Sequence, residues 1–122
     1  MHQQKSSSQP ARLLALVIIF LAPLVSAYAA GFDCTKAISI IEKQICADAY
    51  LSKLDYELNE AFAEAQPSYI GVNGDTGARI DPLGGDQQRW LRNVRNSCKN
   101  TICLQKVYEA RINEIKLKWP PR

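Results

Sequence analysis

The chain has 122 residues and a formal net charge of +3, with 47% hydrophobic and 22% charged side chains, which is one domain's worth of sequence. Its single histidine is His2, so a form processed at its N-terminus has no Ser-His-Asp, Cys-His or His-ligated zinc chemistry to offer. Without Lys5 and Arg12 that form keeps thirteen basic against twelve acidic side chains, too evenly matched for general nucleic-acid binding.

Met1–Arg12 is polar and carries Lys5 and Arg12, and Leu13–Val25 is an apolar run broken by Pro23. Ser26-Ala27-Tyr28-Ala29 closes that run in small residues. A basic start, a short apolar stretch and Ala-x-Ala are the marks of a secretory signal peptide. The run is shorter than the roughly 20 residues an ordinary membrane-spanning helix needs. Cleavage is expected after Ala29, leaving residues 30–122 as one helical domain with net charge +1. No Leu-x-Ala/Gly-Cys lipidation box precedes Cys34, which follows Gly31-Phe32-Asp33, so the expected mature form is periplasmic or secreted without a membrane anchor.

Ser39-Ile40-Ile41-Glu42 is a capping box that predicts a first helix over about 40–46. Asp48 is a second N-cap, opening a long amphipathic helix to about Gln66. At 100° per residue Leu51, Leu54, Leu58, Ala61, Phe62 and Ala65 share its inner face, with Asp55 and Asn59 at one margin and Glu57, Glu60 and Glu64 on the polar side. Pro67 ends that helix, and residues 67–85, with five of the six glycines, read as a long surface loop. A third helix starts between Asp81 and Asp86 and runs to about Ser97, with Trp90, Leu91, Val94 and Cys98 facing inward. The fourth, after Lys99-Asn100, runs to about Trp119 on a stripe of Leu104, Tyr108, Ile112, Ile115 and Trp119, and Pro120-Pro121 stop it. No segment alternates with period two. The expected class is all-α, a small disulfide-stapled bundle of about four helices.

Cys34, Cys46, Cys98 and Cys103 all lie after the leader, and an even count in an exported chain reads as disulfides. Their spacings lack the paired C-x2-C knuckles of a thiolate metal site, so no metal or cofactor is expected. Four cysteines allow three connectivities. Cys34 lies on a segment that can double back beside the first helix, and a short turn can bring Cys98 to Cys103, so the expected pairs are Cys34–Cys46 and Cys98–Cys103.

Phe32-Asp33-Cys34, Glu42-x-x-Ile45-Cys46, Leu54-Asp55-x-x-Leu58-Asn59-x-Ala61-Phe62, Gln87-x-x-Trp90-Leu91 and Cys103-Leu104-x-x-x-Tyr108-x-x-Arg111-Ile112 stand in that order. In this arrangement, spanning about 32–116, the chain resembles the LprI-type lysozyme inhibitor family, a bacterial exported domain also known as a domain of unknown function. The resemblance implies a small exported helical domain and, for the member that gives the family its name, inhibition of lysozyme.

Several constellations are candidates for function. Residues 30–66 carry seven acidic and three basic side chains, residues 67–122 five and ten, so the expected domain is electrically polarised. Lysozymes are usually basic, so the ridge Glu57, Glu60, Glu64 would steer such a partner; the ordinary alternative is the solvated side of a surface helix. Arg89, Arg92, Arg95 and Lys99 form a basic stripe open to envelope anions or simply to water. Of the aromatics Tyr50, Tyr56, Trp90, Tyr108 and Trp119, the last three keep core spacing, which leaves Tyr56 and the loop residue Tyr69 free for a partner, with Arg79 also in that loop. Arg111 falls inside the apolar arc of the last helix and needs a partner, and Asp55 is the best-placed carboxylate, so the two are expected to form a structural ion pair. No acid-plus-nucleophile motif is present. The expected protein is not an enzyme but binds another protein, a lysozyme whose cleft it occludes, or alternatively serves as a periplasmic structural or adaptor module with no lysozyme contact.

Overall fold

The computed structural model describes residues 30–122 and, upstream, Ile18. Apart from Ile18, the leader expected at 1–29 lies outside the described residues. Four helices account for most of them: α1 (Ile40–Ala47), α2 (Ala49–Ala65), α3 (Pro82–Asn93) and α4 (Thr101–Lys118). Short 3-10 turns lie at Cys34–Lys36 before α1, at Gln66–Ser68 after α2 and at Arg95–Ser97 between α3 and α4.

Each helix begins where a side-chain oxygen takes up an orphan amide. Ser39 accepts from Glu42 N at 3.1 Å while the Glu42 carboxylate accepts from Ser39 N at 3.2 Å, which is the expected capping box. Asp48 caps α2 through Leu51 N, Asp81 caps α3 through Gly84 N with Pro82 next in chain, and Asn100 caps α4 through Cys103 N. Two backbone N–H donors, from Ile38 and Ser39, hold the Glu42 carboxyl below the usual range.

The principal packing is α2 against α4. Leu51, Leu54, Leu58, Ala61 and Ala65 meet Leu104, Tyr108, Ile112 and Ile115 in a core completed by Ile45, Leu83, Trp90, Cys98 and Ala30. Phe62 and Trp119 are half-buried at its edge, and Val94, expected inside, is exposed where the α3 helix gives way to the 95–97 turn.

Both expected disulfides are present. Cys34–Cys46 ties the first 3-10 turn to the last turn of α1, and Cys98–Cys103 straddles the entry to α4. On the chain-entropy model the two loops contribute about 3 and about 2 kcal/mol. No free thiol remains among the described residues.

The glycine-rich stretch differs from the expected open loop. It holds a two-stranded antiparallel hairpin, β1 (Gly71–Val72) and β2 (Arg79–Ile80), with Gly71 opposite Ile80 and Val72 opposite Arg79. Asn73 organises the tip: its side chain accepts from Asp75 N and Thr76 N, and its backbone N–H donates to Ala78 O at 2.8 Å. Gly77, at φ +69°, supplies the left-handed residue that closes the turn. Strands two residues long carry no readable alternation, so periodicity alone could not find them.

Candidate functional site

Two buried charges organise the interior. Asp55, on α2, is 4% exposed; its Oδ1 accepts from the Tyr108 hydroxyl at 2.7 Å and its Oδ2 from Gly31 N at 2.7 Å. The Asn59 amide adds a longer contact to Oδ2 at 3.4 Å. Burial, followed by the Asp55 charge and hydrogen bond, pushes the Tyr108 phenol far above its ordinary range, so Tyr108 is a fixed donor.

Arg111, on α4, is 2% exposed and does not meet Asp55, which corrects the expected ion pair. Its Nη1 donates to Asp86 and to Glu114, each at 2.9 Å, and its Nε to Gln87 Oε1 at 2.9 Å. The reason lies in donor count. A guanidinium presents five N–H groups in a fork, and the start of α3 together with Glu114, three residues along α4, offers three acceptors. Asp55 instead faces Tyr108. Burial raises the Asp86 pKa, but the Arg111 hydrogen bond and charge, with Lys118 and Arg89, overcome it and hold the carboxyl below its usual range. Trp90 touches both centres, edge-on to Tyr108 at 5.3 Å and beneath the Arg111 guanidinium at 6.0 Å.

Above Asp55 lies an open groove of about 600 Å³ between α2, α3 and the incoming segment, lined among others by Gly31, Asn59, Gln66, Gln87 and Arg95. Much of its polar lining is already engaged: Gln66 donates to Asp81 at 2.7 Å and Gln87 accepts from Arg111. Its deepest carboxylate is held by three donors and has no nucleophile or second acid beside it in hydrogen-bond contact. Among the described residues no group of three or more His, Cys, Asp or Glu side chains is placed to hold a metal ion.

The acidic half of the sequence is largely absorbed by local structure. Asp33, Glu42 and Asp48 serve as caps, Asp55 is internal, and Glu57 pairs with Lys53 at 3.1 Å. Glu60 and Glu64 project from α2 with no ion-pair partner among the described residues. In the basic stripe Arg89 pairs with Asp86 at 3.3 Å and Arg95 turns toward the groove.

Tyr69 is not free, contrary to expectation. Its hydroxyl donates to Pro120 O at 2.7 Å, its ring stands edge-on to Trp119 at 4.9 Å, and the Arg122 guanidinium lies 4.6 Å from its centre. It anchors the base of the hairpin to the end of the chain. Tyr50 is likewise engaged, donating to Glu109 at 2.7 Å, and Tyr56 is exposed. Beyond the anchor the hairpin is open: Val72 is 68% exposed, Ile70 and Ile80 are exposed, and Arg79 makes only a 3.6 Å contact with Asp81. Sequence reasoning missed Asp86 and Gln87 as partners of Arg111, and treated Tyr108 as packing alone. The signals were a Gln87 standing within the family-like run and the rule that a buried tyrosine hydroxyl finds an acceptor.

No family model matches the chain, and no solved structure matches it significantly. Lipoprotein LprI of Mycobacterium tuberculosis and that of Mycobacterium bovis are each 26% identical to it over 94 residues, covering 74% of this chain and 43% of the relative. The chain thus spans less than half the length of the curated relatives it matches. In this likeness over 74% of its length the chain resembles the LprI-type family.

Proposed function

We propose that the chain is an exported, non-catalytic binding protein whose partner is a lysozyme, inhibited by occlusion of its cleft. Two disulfides suit an oxidising compartment, and the expected leader supplies the route to it. The observation that carries the reading is the hairpin. It projects exposed Val72, Ile70 and Ile80 together with Arg79, yet its tip is pinned by Asn73 and its base by Tyr69. A probe ordered in advance enters a cleft without the cost of immobilising a loose loop. Glycosidase clefts carry paired carboxylates, for which Arg79 is a complementary cation. Glu60 and Glu64, with Glu57 half engaged, supply steering toward a basic enzyme.

The test is to add the purified protein to lysozymes of several classes acting on peptidoglycan, and to peptidoglycan alone. Inhibition in the first case and no turnover in the second is the expected result. Val72→Asp with Arg79→Glu should weaken inhibition by about tenfold or more. The triple change Glu57→Lys, Glu60→Lys, Glu64→Lys should instead slow association, with added salt acting on the parent in the same sense. A parent that inhibits no lysozyme class overturns the proposal in favour of the structural or adaptor module.

A further inference from the structure

Asp55 is a buried carboxylate with no cation in direct contact. Among the described residues its hydrogen-bond donors are a phenol, a backbone amide and a side-chain amide, and no Lys or Arg lies within ion-pair distance. Arg95, in the same groove, reaches as far as the Tyr108 hydroxyl and so stands one hydrogen bond away from the carboxylate. Carrying a lone negative charge in such a place is expensive unless something positive stands near.

The backbone that reaches Asp55 is that of Gly31, two residues past the Ala27-Tyr28-Ala29 signal. Ala30 is itself 8% exposed and part of the core, so the segment is docked there. Gly31 lies so close to α2 that a Cβ on it would collide with the Asn59 amide. Bond lengths keep consecutive backbone nitrogens within about 3.7 Å of one another. Given the 2.7 Å bond from Gly31 N, the nitrogen of Ala30 therefore lies no more than about 6.4 Å from the same carboxylate oxygen. That bound reaches the edge of the roughly 4–6 Å over which an opposite charge favours an ionised carboxylate.

We propose that leader removal adds a counter-charge on the side of Asp55 away from Tyr108: the α-ammonium of Ala30 pairs with Oδ2, so that processing completes the core. A signal peptidase adds water across the Ala29–Ala30 peptide bond, leaving a carboxylate on Ala29 and an amine on Ala30 that takes up a proton. Before cleavage the same nitrogen is a neutral amide. The Asp55 centre is thereby a site that distinguishes processed from unprocessed protein. This rests on the export reading but not on lysozyme as the partner.

The experiment uses the full chain with its leader, expressed in an export-competent bacterium. Intact mass reports the N-terminus, and melting temperature is compared for the parent and for a variant with one alanine inserted between Ala29 and Ala30. Both are made with Asp55 and with Asp55→Asn. The expected result is a start at Ala30, and an insertion that lowers the melting temperature by about 5 °C with Asp55 but by under about 1 °C with Asp55→Asn. Should Asp55→Asn fail to fold, titration of the labelled α-amine by NMR decides. A pKa above the ordinary value of about 7.7–8.0 supports the pairing, and that value itself overturns it. A start elsewhere than Ala30 overturns the cleavage reading, whereas a start at Ala30 with equal losses in both backgrounds overturns the pairing alone.

Discussion

The Asp55 and Arg111 centres are both almost fully buried, both touch Trp90, and they are built in opposite ways. Asp55 is met by neutral donors from α4 and from the N-terminal segment, deep beneath the groove. Arg111 is met by two carboxylates and an amide at the α3–α4 edge, where the Asp86 and Glu114 side chains are still 23% and 44% exposed. A carboxylate has about four lone-pair sites, and a phenol and two amides take three of them. A guanidinium has five donors, and here Nη2 remains buried without a hydrogen-bond partner even so. The difference teaches where the fragility lies. Breaking the first centre strands the fully buried Tyr108 hydroxyl, whereas breaking the second releases acids that water already touches.

The largest effect is therefore expected from Asp55→Ala. It leaves the Tyr108 hydroxyl and the Gly31 amide without an acceptor, at a cost of about 3 kcal/mol in urea denaturation. A loss under about 1 kcal/mol would mean that water serves both groups and that the centre is less dry than its burial indicates.

Tyr108→Phe removes one donor and keeps the ring, for about 1.5 kcal/mol. It also sharpens the contrast in pH. The Tyr108 pKa is raised in the fold, so its contribution is complete below the unfolded phenol value of about 10 and is lost as pH rises beyond it. The parent should thus lose stability more steeply than Tyr108→Phe on the alkaline side, and parallel alkaline limbs would contradict this.

Arg111→Met should cost only about 1 kcal/mol, since the acids left behind are solvated and the unpaired Nη2 leaves with the side chain. Its pH signature is the reverse of the first centre's. Asp86 is depressed in the fold, so its contribution is present above about 3.9 and is lost as pH falls through the lower folded value. Arg111→Met should flatten that acid limb; an unchanged limb would show that Asp86 does not depend on the guanidinium.

The smallest expected quantity is the coupling between the centres. Asp55→Asn and Arg111→Met should add to within about 0.5 kcal/mol, because neither residue is a partner of the other. A larger coupling energy would make Trp90 a mechanical link between two sites that otherwise stand apart.

The elements written in local chemistry were legible in the chain. Ser39, Asp48 and Asn100 cap their own helices within three residues, and the disulfides join cysteines 12 and 5 positions apart. Helical periodicity likewise identified Leu51, Leu54, Leu58, Leu104, Tyr108 and Ile115 as core. Such signals are short in range, and the backbone geometry that answers them is the same in any protein. What the sequence by itself left undecided were choices among partners far apart in the chain. Tyr108 meets Asp55 across 53 positions, Tyr69 meets Pro120 across 51, and Arg111 takes Asp86 across 25. A helical period tells which face of a helix turns inward, but not how two helices are rotated and shifted against each other. That rotation decides whether a residue at the margin of the stripe, as Asp55 is on α2, meets a guanidinium or a phenol, and it is set only when the whole core packs.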